Sequence, residues 1–202
     1  MTKIYFVRHG SIKSNKLKIY AGWGEEELDE EGIDQARKVG RLLRDRNIDV
    51  IYTSPIKRAI QTAEIIATHF YGLKIIIEKG LKEMKLGPWE GLSENEIAIK
   101  YPEEFKLWNS KPVKLKLPGR ETLSTVQNRA VKAVRKILSN QNRDAIAVTH
   151  VVIIRCLFLY YNNLNLNSYK KIEVPNASVF TLQLDHGFYH LRRLLQKSRF
   201  SC

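Results

Sequence analysis

At 202 residues and 23.4 kDa the chain has room for one ordinary domain and for two only under strain. Its 44% hydrophobic and 27% charged residues exclude a disordered or collagen-like chain, and no apolar run reaches the roughly 18 residues of a membrane helix, the longest, 151–161, being broken by Arg155. Lys and Arg outnumber Asp and Glu by 34 to 21, a net charge of +13 that favours anionic partners, phosphorylated metabolites among them.

In chain order, residues 3–7 form a short β-branched and aromatic run that reads as a buried strand. The apolar stretch at the N-terminus is too short for a secretory signal, so a cytoplasmic protein is expected. Residues 30–46 set Ile33, Ala36, Val39, Leu42 and Leu43 on one helical face. A second strand, 49–53, runs into Thr53-Ser54-Pro55 and a helix over 55–71 that opens on a proline. Residues 74–78 read as a third buried strand. The segment 79–119 is rich in Gly and Pro and is expected to be a partly helical insertion capping the sheet within a single domain spanning 1–202. Helical spacing returns over 121–138, with apolar residues at 123, 126, 130, 131, 134, 137 and 138. A fourth strand, 144–149, ends at His150, and the next helix carries Phe158, Tyr160 and Tyr161, expected as core rather than as a base-stacking platform. Residues 178–184 and 188–194 read as a hairpin turned by Asp185, His186 and Gly187.

Strands alternating with helices imply an α/β fold: a three-layer sandwich with a mostly parallel central sheet, helices on both faces and an antiparallel edge hairpin. Ligands of such sheets bind outside the carboxyl ends of the strands. There the sequence places Arg8-His9-Gly10 after the first strand, Ser54 and Arg58 after the second, Glu83 after the third and His150 after the fourth. Each residue alone has an ordinary structural explanation, but chance offers no reason for all of them to fall on one rim.

With these residues in place, the sequence resembles the histidine phosphatase superfamily, also called the phosphoglycerate-mutase-like family, through most of the chain. Arg8-His9-Gly10 is similar to its defining motif, followed by Asn15, by Leu28, Gly32, Gln35 and Ala36, and by Thr53-Ser54-Pro55 with Arg58, Ala59, Gln61, Thr62 and Ala63. Glu83 with Gly87, Trp89, Glu90 and Gly91, then Pro118-Gly119 with Glu121, His150, and Asn176-Ala177-Ser178 complete the order. The chain departs from the pattern at Ser11 and Ile12, where the family commonly has Glu and Thr, and at Val151, where it usually has Gly. A β-branched Val151 narrows the pocket or changes how the phosphate is held, so Ser11 and Val151 join Gly22 and Trp23 as substrate-pocket candidates.

The resemblance implies His9 as nucleophile, Arg8, Arg58, His150 and Asn15 as phosphate ligands, and Glu83 as the acid that protonates the leaving oxygen and then activates water. These types suit the chemistry: a neutral imidazole attacks phosphorus when its other nitrogen is held, and guanidinium forks neutralise the equatorial oxygens. No metal and no cofactor are expected. His186 and His190 are four apart but have no acidic or Cys companion and read as structural, and the two cysteines, Cys156 and Cys202, form no metal motif. The expected activity is a phosphomonoesterase acting on a small phosphorylated metabolite, of the phosphatase branch. The alternative is a 2,3-bisphosphoglycerate-dependent phosphoglycerate mutase, favoured by Gly22-Trp23 and disfavoured by the mere 67 positions (150 − 83) between Glu83 and His150. A catalytically weak phosphate-binding or nucleic-acid-binding protein on the same scaffold is the third reading. The basic residues form no stripe beyond Arg192, Arg193, Lys197 and Arg199, so no specific nucleic acid is expected as partner. The oligomeric state is left open, a homodimer being the assembly entertained.

Overall fold

The computed structural model describes residues 2–194, so Lys197, Arg199 and Cys202 lie outside the described residues. Six strands, β1 (Ile4–Arg8), β2 (Ile48–Thr53), β3 (Lys74–Ile77), β4 (Asp144–Thr149), β5 (Val179–Asp185) and β6 (Phe188–Arg193), form one sheet in the order β3-β2-β4-β1-β5-β6. The first four in that order run parallel, while β5 and β6 are antiparallel additions on the β1 side. The connecting helices are α1 (Lys13–Lys16), α2 (Glu30–Leu43), α3 (Lys57–Ala67), α4 (Glu94–Lys100), α5 (Pro102–Ser110), α6 (Leu123–Ser139) and α7 (Val151–Tyr161).

Strand alternation splits the core in two. Tyr5, Val7, Ile51, Ile146 and Val148 face one side and pack on Val39 and Leu43 of α2 and Ala59, Ala63 and Ile66 of α3. Ile4, Phe6, Val50, Tyr52, Ala145 and Ala147 face the other, against α6, α7 and the aromatic residues of the insertion. Both sheet faces are therefore covered by helices, and each large side chain so buried contributes about 1.5–3 kcal/mol. Asp29 and Thr122 cap α2 and α6 by accepting from Gly32 N and Thr125 N.

Three expectations need correction. The strand at 74–77 is not buried: among the described residues β3 pairs only with β2, and Ile75, Ile76 and Ile77 are 37, 42 and 47% exposed. A run of isoleucines carries no mark that distinguishes an edge from a centre. The helix expected over 55–71 is shorter, because Pro55 stays in the loop and Ile56 is the N-cap. Of the three aromatics on α7, Phe158 packs edge-on against Phe180 and Tyr161 against Tyr189, but Tyr160 is 41% exposed.

The segment 79–119 mixes short turns and helices. Short 3-10 turns at Lys79–Leu81, Gly87–Trp89 and Pro112–Lys114 alternate with α4 and α5, and α4 is fixed by a capping box between Ser93 and Glu96. Trp89 and Trp108 are both buried, their rings 6.2 Å apart and edge-to-face, which anchors the insertion on the sheet. His186 sits in the hairpin turn at positive φ, almost fully exposed, with Nε2 3.6 Å from Asp185 Oδ1, an acidic neighbour the sequence reading did not expect; His190 of β6 pairs across to Gln183 of β5, and no metal-binding cluster forms among the described residues.

Candidate active site

The register of the parallel strands brings the motifs together. Arg8 lies opposite Thr149 and Thr53 opposite Val148, so the residues that follow, His9, Ser54 and His150, emerge side by side at the carboxyl edge. His9 N donates to Thr149 O at 3.0 Å and Ser54 N to Val148 O at 3.0 Å, extending the ladder by one bond on each strand.

The chain then turns sharply because glycines allow backbone to touch backbone. A Cβ on Gly10 would stand 2.4 Å from Gly32 O, and one on Gly32 would stand 2.2 Å from Ser11 O. Neither carbonyl can move without shifting the loop that carries His9 or the first turn of α2. Gly32→Ala is therefore expected to cost about 1–3 kcal/mol, read as a lowered urea midpoint; an unchanged midpoint would show that the loop and helix separate freely.

Four atoms define the state of His9. Its Nδ1 lies 2.7 Å from Gly10 O, and a carbonyl only accepts, so Nδ1 carries the proton and Nε2 holds the lone pair. Arg58 Nε donates to that Nε2 at 3.2 Å. Burial first, then the charges of Arg58 and Arg8, push the imidazole pKa well below its ordinary value, so the ring is neutral. Arg58 is itself buried, and its Nη1 and Nη2 donate to Gly24 O at 2.9 Å and Gly22 O at 2.7 Å. Arg8 donates from Nη1 to Val174 O at 2.6 Å, its Nε has no partner among the described residues, and burial pulls its pKa down to about 10.

His150 is fully buried beside His9, with ring centroids 5.2 Å apart. Its Nε2 is 2.7 Å from Ser54 Oγ, while Nδ1 is buried without a partner among the described residues. Glu83 is 6% exposed; Oε1 accepts from Met84 N at 2.8 Å. Desolvation raises its pKa, and it outweighs the opposing pull of that hydrogen bond and of Arg58, Arg8 and Arg129. The backbone around it is held hard: Trp23 Nε1 and Arg129 Nη2 donate to Glu83 O at 2.7 and 2.9 Å, and Arg129 also binds Lys82 O and Gly80 O while pairing with Glu121.

A cavity of about 580 Å³ opens over these groups and is lined by Arg8, His9, Asn15, Gly22, Arg58, Glu83 and Val151. Three other sequence candidates do not line it. His150 lies behind His9; Ser11 is buried with Oγ donating to Asp29 Oδ2 at 3.0 Å; and Trp23 supports the Glu83 backbone while Lys82 Nζ sits 3.5 Å over its ring. Ser11 and Trp23 are thus scaffold rather than pocket wall. Asn15 Oδ1 accepts from Asn176 Nδ2 at 2.8 Å, which leaves its own amide nitrogen as the free end. Sequence reasoning missed Arg129, whose only signal is a charge on a helix that is otherwise amphipathic. It also missed the far wall built by Tyr20, Trp108, Arg155, Tyr169 and Lys170, which come from loops and helices without a motif.

Comparison with known proteins agrees with this arrangement. The family model of the histidine phosphatase superfamily (branch 1) matches residues 4–197. Phosphoserine phosphatase 1 of Hydrogenobacter thermophilus is 31% identical over all of this chain and 94% of that protein. A 2,3-bisphosphoglycerate-dependent phosphoglycerate mutase of Treponema denticola is 28% identical over 92% of this chain and 88% of its own. Among solved structures, YhfR of Bacillus stearothermophilus superposes with a TM-score of 0.88 at 30% identity, covering 95% of both chains. The chain belongs to the histidine phosphatase superfamily, branch 1, and is a phosphatase hydrolase of that superfamily.

Proposed function

We propose that the protein is a metal-independent phosphomonoesterase that hydrolyses a small phosphorylated metabolite through a phosphohistidine on His9. The observation that carries this reading is the pinned tautomer of His9: Nδ1 is committed to Gly10 O, so a neutral ring offers the Nε2 lone pair at the rim of the cavity.

Nε2 attacks phosphorus in line with the ester oxygen, the N–P bond forms as the P–O bond breaks, and the electron pair of that bond goes to the leaving oxygen. Glu83, whose carboxyl burial pushes above its ordinary pKa, gives that oxygen its proton from its protonated form. The resulting carboxylate takes a proton from water as the water attacks phosphohistidine, the N–P bond breaks, and phosphate leaves with His9 and Glu83 restored. Arg8 and Arg58 neutralise the phosphoryl oxygens, and the free amide nitrogen of Asn15 is a further donor. His150 Nδ1, buried and unpartnered, is a donor that a phosphoryl group on His9 can satisfy, with the Ser54 hydroxyl donating to Nε2 to fix that tautomer.

We read Gly22-Trp23 as neutral between hydrolase and mutase. Gly22 serves Arg58 through its carbonyl and Trp23 serves the Glu83 backbone, tasks that a hydrolase needs equally. The deciding experiment supplies 3-phosphoglycerate with a trace of 2,3-bisphosphoglycerate in the presence of EDTA. Phosphate release, undiminished by chelation, is expected to outpace formation of 2-phosphoglycerate. Faster 2-phosphoglycerate formation, surpassing phosphate release from every ester tested, would make the protein a mutase, and a strict need for added divalent metal would overturn the proposed chemistry.

A further inference from the structure

Glu83 stands on a stretch of chain with no regular structure of its own: the 3-10 turn ends at Leu81, and residues 83–85 are neither helix nor strand. Among the described residues its carboxyl makes one hydrogen bond, Oε1 accepting from Met84 N, the amide of the next residue. That bond ties the carboxyl to its local backbone and to nothing further away. Where the second oxygen, Oε2, is presented therefore follows from how the main chain at 82–84 is oriented.

The orientation is imposed from α6. Leu81 and Met84 are fully buried, and Thr149 Oγ1 donates to Leu81 O at 2.7 Å, which seats the loop on the core. The carbonyls on either side of that anchor go to one side chain. Arg129 Nη1 donates to Gly80 O at 2.9 Å and to Lys82 O at 2.7 Å, and Nη2 donates to Glu83 O at 2.9 Å. Nε and Nη2 also donate to Glu121 Oε1 and Oε2 at 2.8 and 2.9 Å, so all five N–H donors of the guanidinium are engaged. Glu121 closes the grip beyond Glu83: Oε2 accepts from Lys85 N, and its backbone N donates to Lys85 O, both at 2.9 Å. Gly80 lets the loop lie this close to α6, since a Cβ there would stand 2.6 Å from Ala133 Cβ. Arg129 does not line the cavity, and with every donor spent it has none to offer a substrate.

We infer that Arg129, braced by Glu121, is a positioning residue for Glu83: it fixes the main chain from which the acid reaches the leaving oxygen. This rests on the phosphomonoesterase reading and deepens it, because it makes the proton-transfer step depend on a side chain of α6 that never meets the substrate. Core burial of Leu81 and Met84 is enough to keep the loop in place, whereas three carbonyls and a carboxylate on one planar fork also fix its direction. An ammonium radiates its three donors from a single point and cannot hold the same four groups, so lysine is no equivalent here.

The test asks whether Arg129 acts through Glu83. We compare kcat/KM for 3-phosphoglycerate, an alkyl ester, and for nitrophenyl phosphate in the native protein, Arg129→Lys, Glu83→Gln and the double variant. Arg129→Lys is expected to lower the alkyl-ester value by ~10–100-fold, the cost of an acid displaced by about 1 Å. Its KM for that ester should stay within about threefold and its nitrophenyl phosphate kcat/KM should fall by less than about threefold. In the Glu83→Gln background the same Arg129→Lys change should cost less than about threefold on either ester, because two residues that serve one step do not add. Should Arg129→Lys lack a cooperative urea transition, Trp23→Phe carries the same comparison. It removes the other donor to Glu83 O, keeps a ring under Lys82, and is expected to show the same split at ~3–10-fold. Equal losses on both esters, an unchanged alkyl-ester rate, or a full loss persisting in the Glu83→Gln background would overturn the positioning role while leaving the phosphatase reading intact. A native protein that hydrolyses nitrophenyl phosphate but no alkyl ester would overturn it as well, there being no acid step to serve. Hydrolysis of neither ester by the native protein would strike the phosphatase reading itself, and this inference with it.

Discussion

Replacing His9 with alanine is expected to remove turnover, a loss of ~10⁴-fold or more, while the fold survives. The loss is large because no other group can take the role. His150 is the one other histidine near the cavity, and it is fully buried behind His9, its Nε2 engaged with Ser54. Its pKa is also lowered, by burial first and then by Arg58, so both rings are neutral, but only His9 stands on the cavity wall. The fold survives because the strand-end contacts of residue 9 are made by its backbone: N to Thr149, and O accepting from Ala177 N and Asn176 Nδ2. The lost Nδ1 bond is local, to the next residue, and Arg58 remains tied to Gly22 and Gly24. Quenching the native protein during turnover of a radiolabelled phosphoester should trap acid-labile, base-stable label on His9, and the variant should trap none. Label on any other residue, or an ordinary rate in His9→Ala, would sink the proposed nucleophile.

The legible part of the fold lay where periodicity and strand ends agree. The alternation of Ile4 and Phe6 with Tyr5 and Val7, and the motif residues directly after each parallel strand, define both the two-sided sheet and the rim that holds the site. What sequence hid is of two kinds. Edge status is a property of neighbours, so Ile75–Ile77 read as interior although, among the described residues, nothing pairs on their far side. Distant support is likewise invisible: Trp23 and Arg129 converge on one carbonyl, Glu83 O, from positions 60 and 46 residues away, and neither carries a local mark of that task. Gly22-Trp23 shows that the spacing of a motif does not disclose its physical use. The pair suits a mutase by spacing, but the contacts it makes serve Arg58 and Glu83.

For Glu83→Gln the expectation is a split by leaving group. The kcat/KM for alkyl phosphates reports on P–O cleavage, where an alkoxide cannot depart without a proton, and should fall by ~10²–10⁴-fold. Nitrophenolate leaves unaided, so its kcat/KM should change by less than about tenfold. Its kcat should still drop, because water must then attack phosphohistidine without a base, and nitrophenol should appear in a burst matching the enzyme concentration. The pH profile follows from the same group with a definite sign. Glu83 acts as acid only while protonated, and burial places its pKa above the ordinary 4.5. Alkyl-phosphate kcat/KM in the native protein should therefore decline as pH rises through that raised value. Bound substrate pushes the decline further toward alkaline pH in kcat, since a phosphate dianion offsets Arg8 and Arg58, the charges that otherwise pull the carboxyl down. On the acid side His9 must stay neutral, and its depressed pKa keeps that limb well below 6.5. In Glu83→Gln the alkaline limb should vanish for alkyl esters, and nitrophenyl phosphate kcat/KM should lack it even in the native protein. Equal losses on both ester types, or an alkaline limb that persists in the variant, would reduce Glu83 to a residue that positions the ligand without moving a proton.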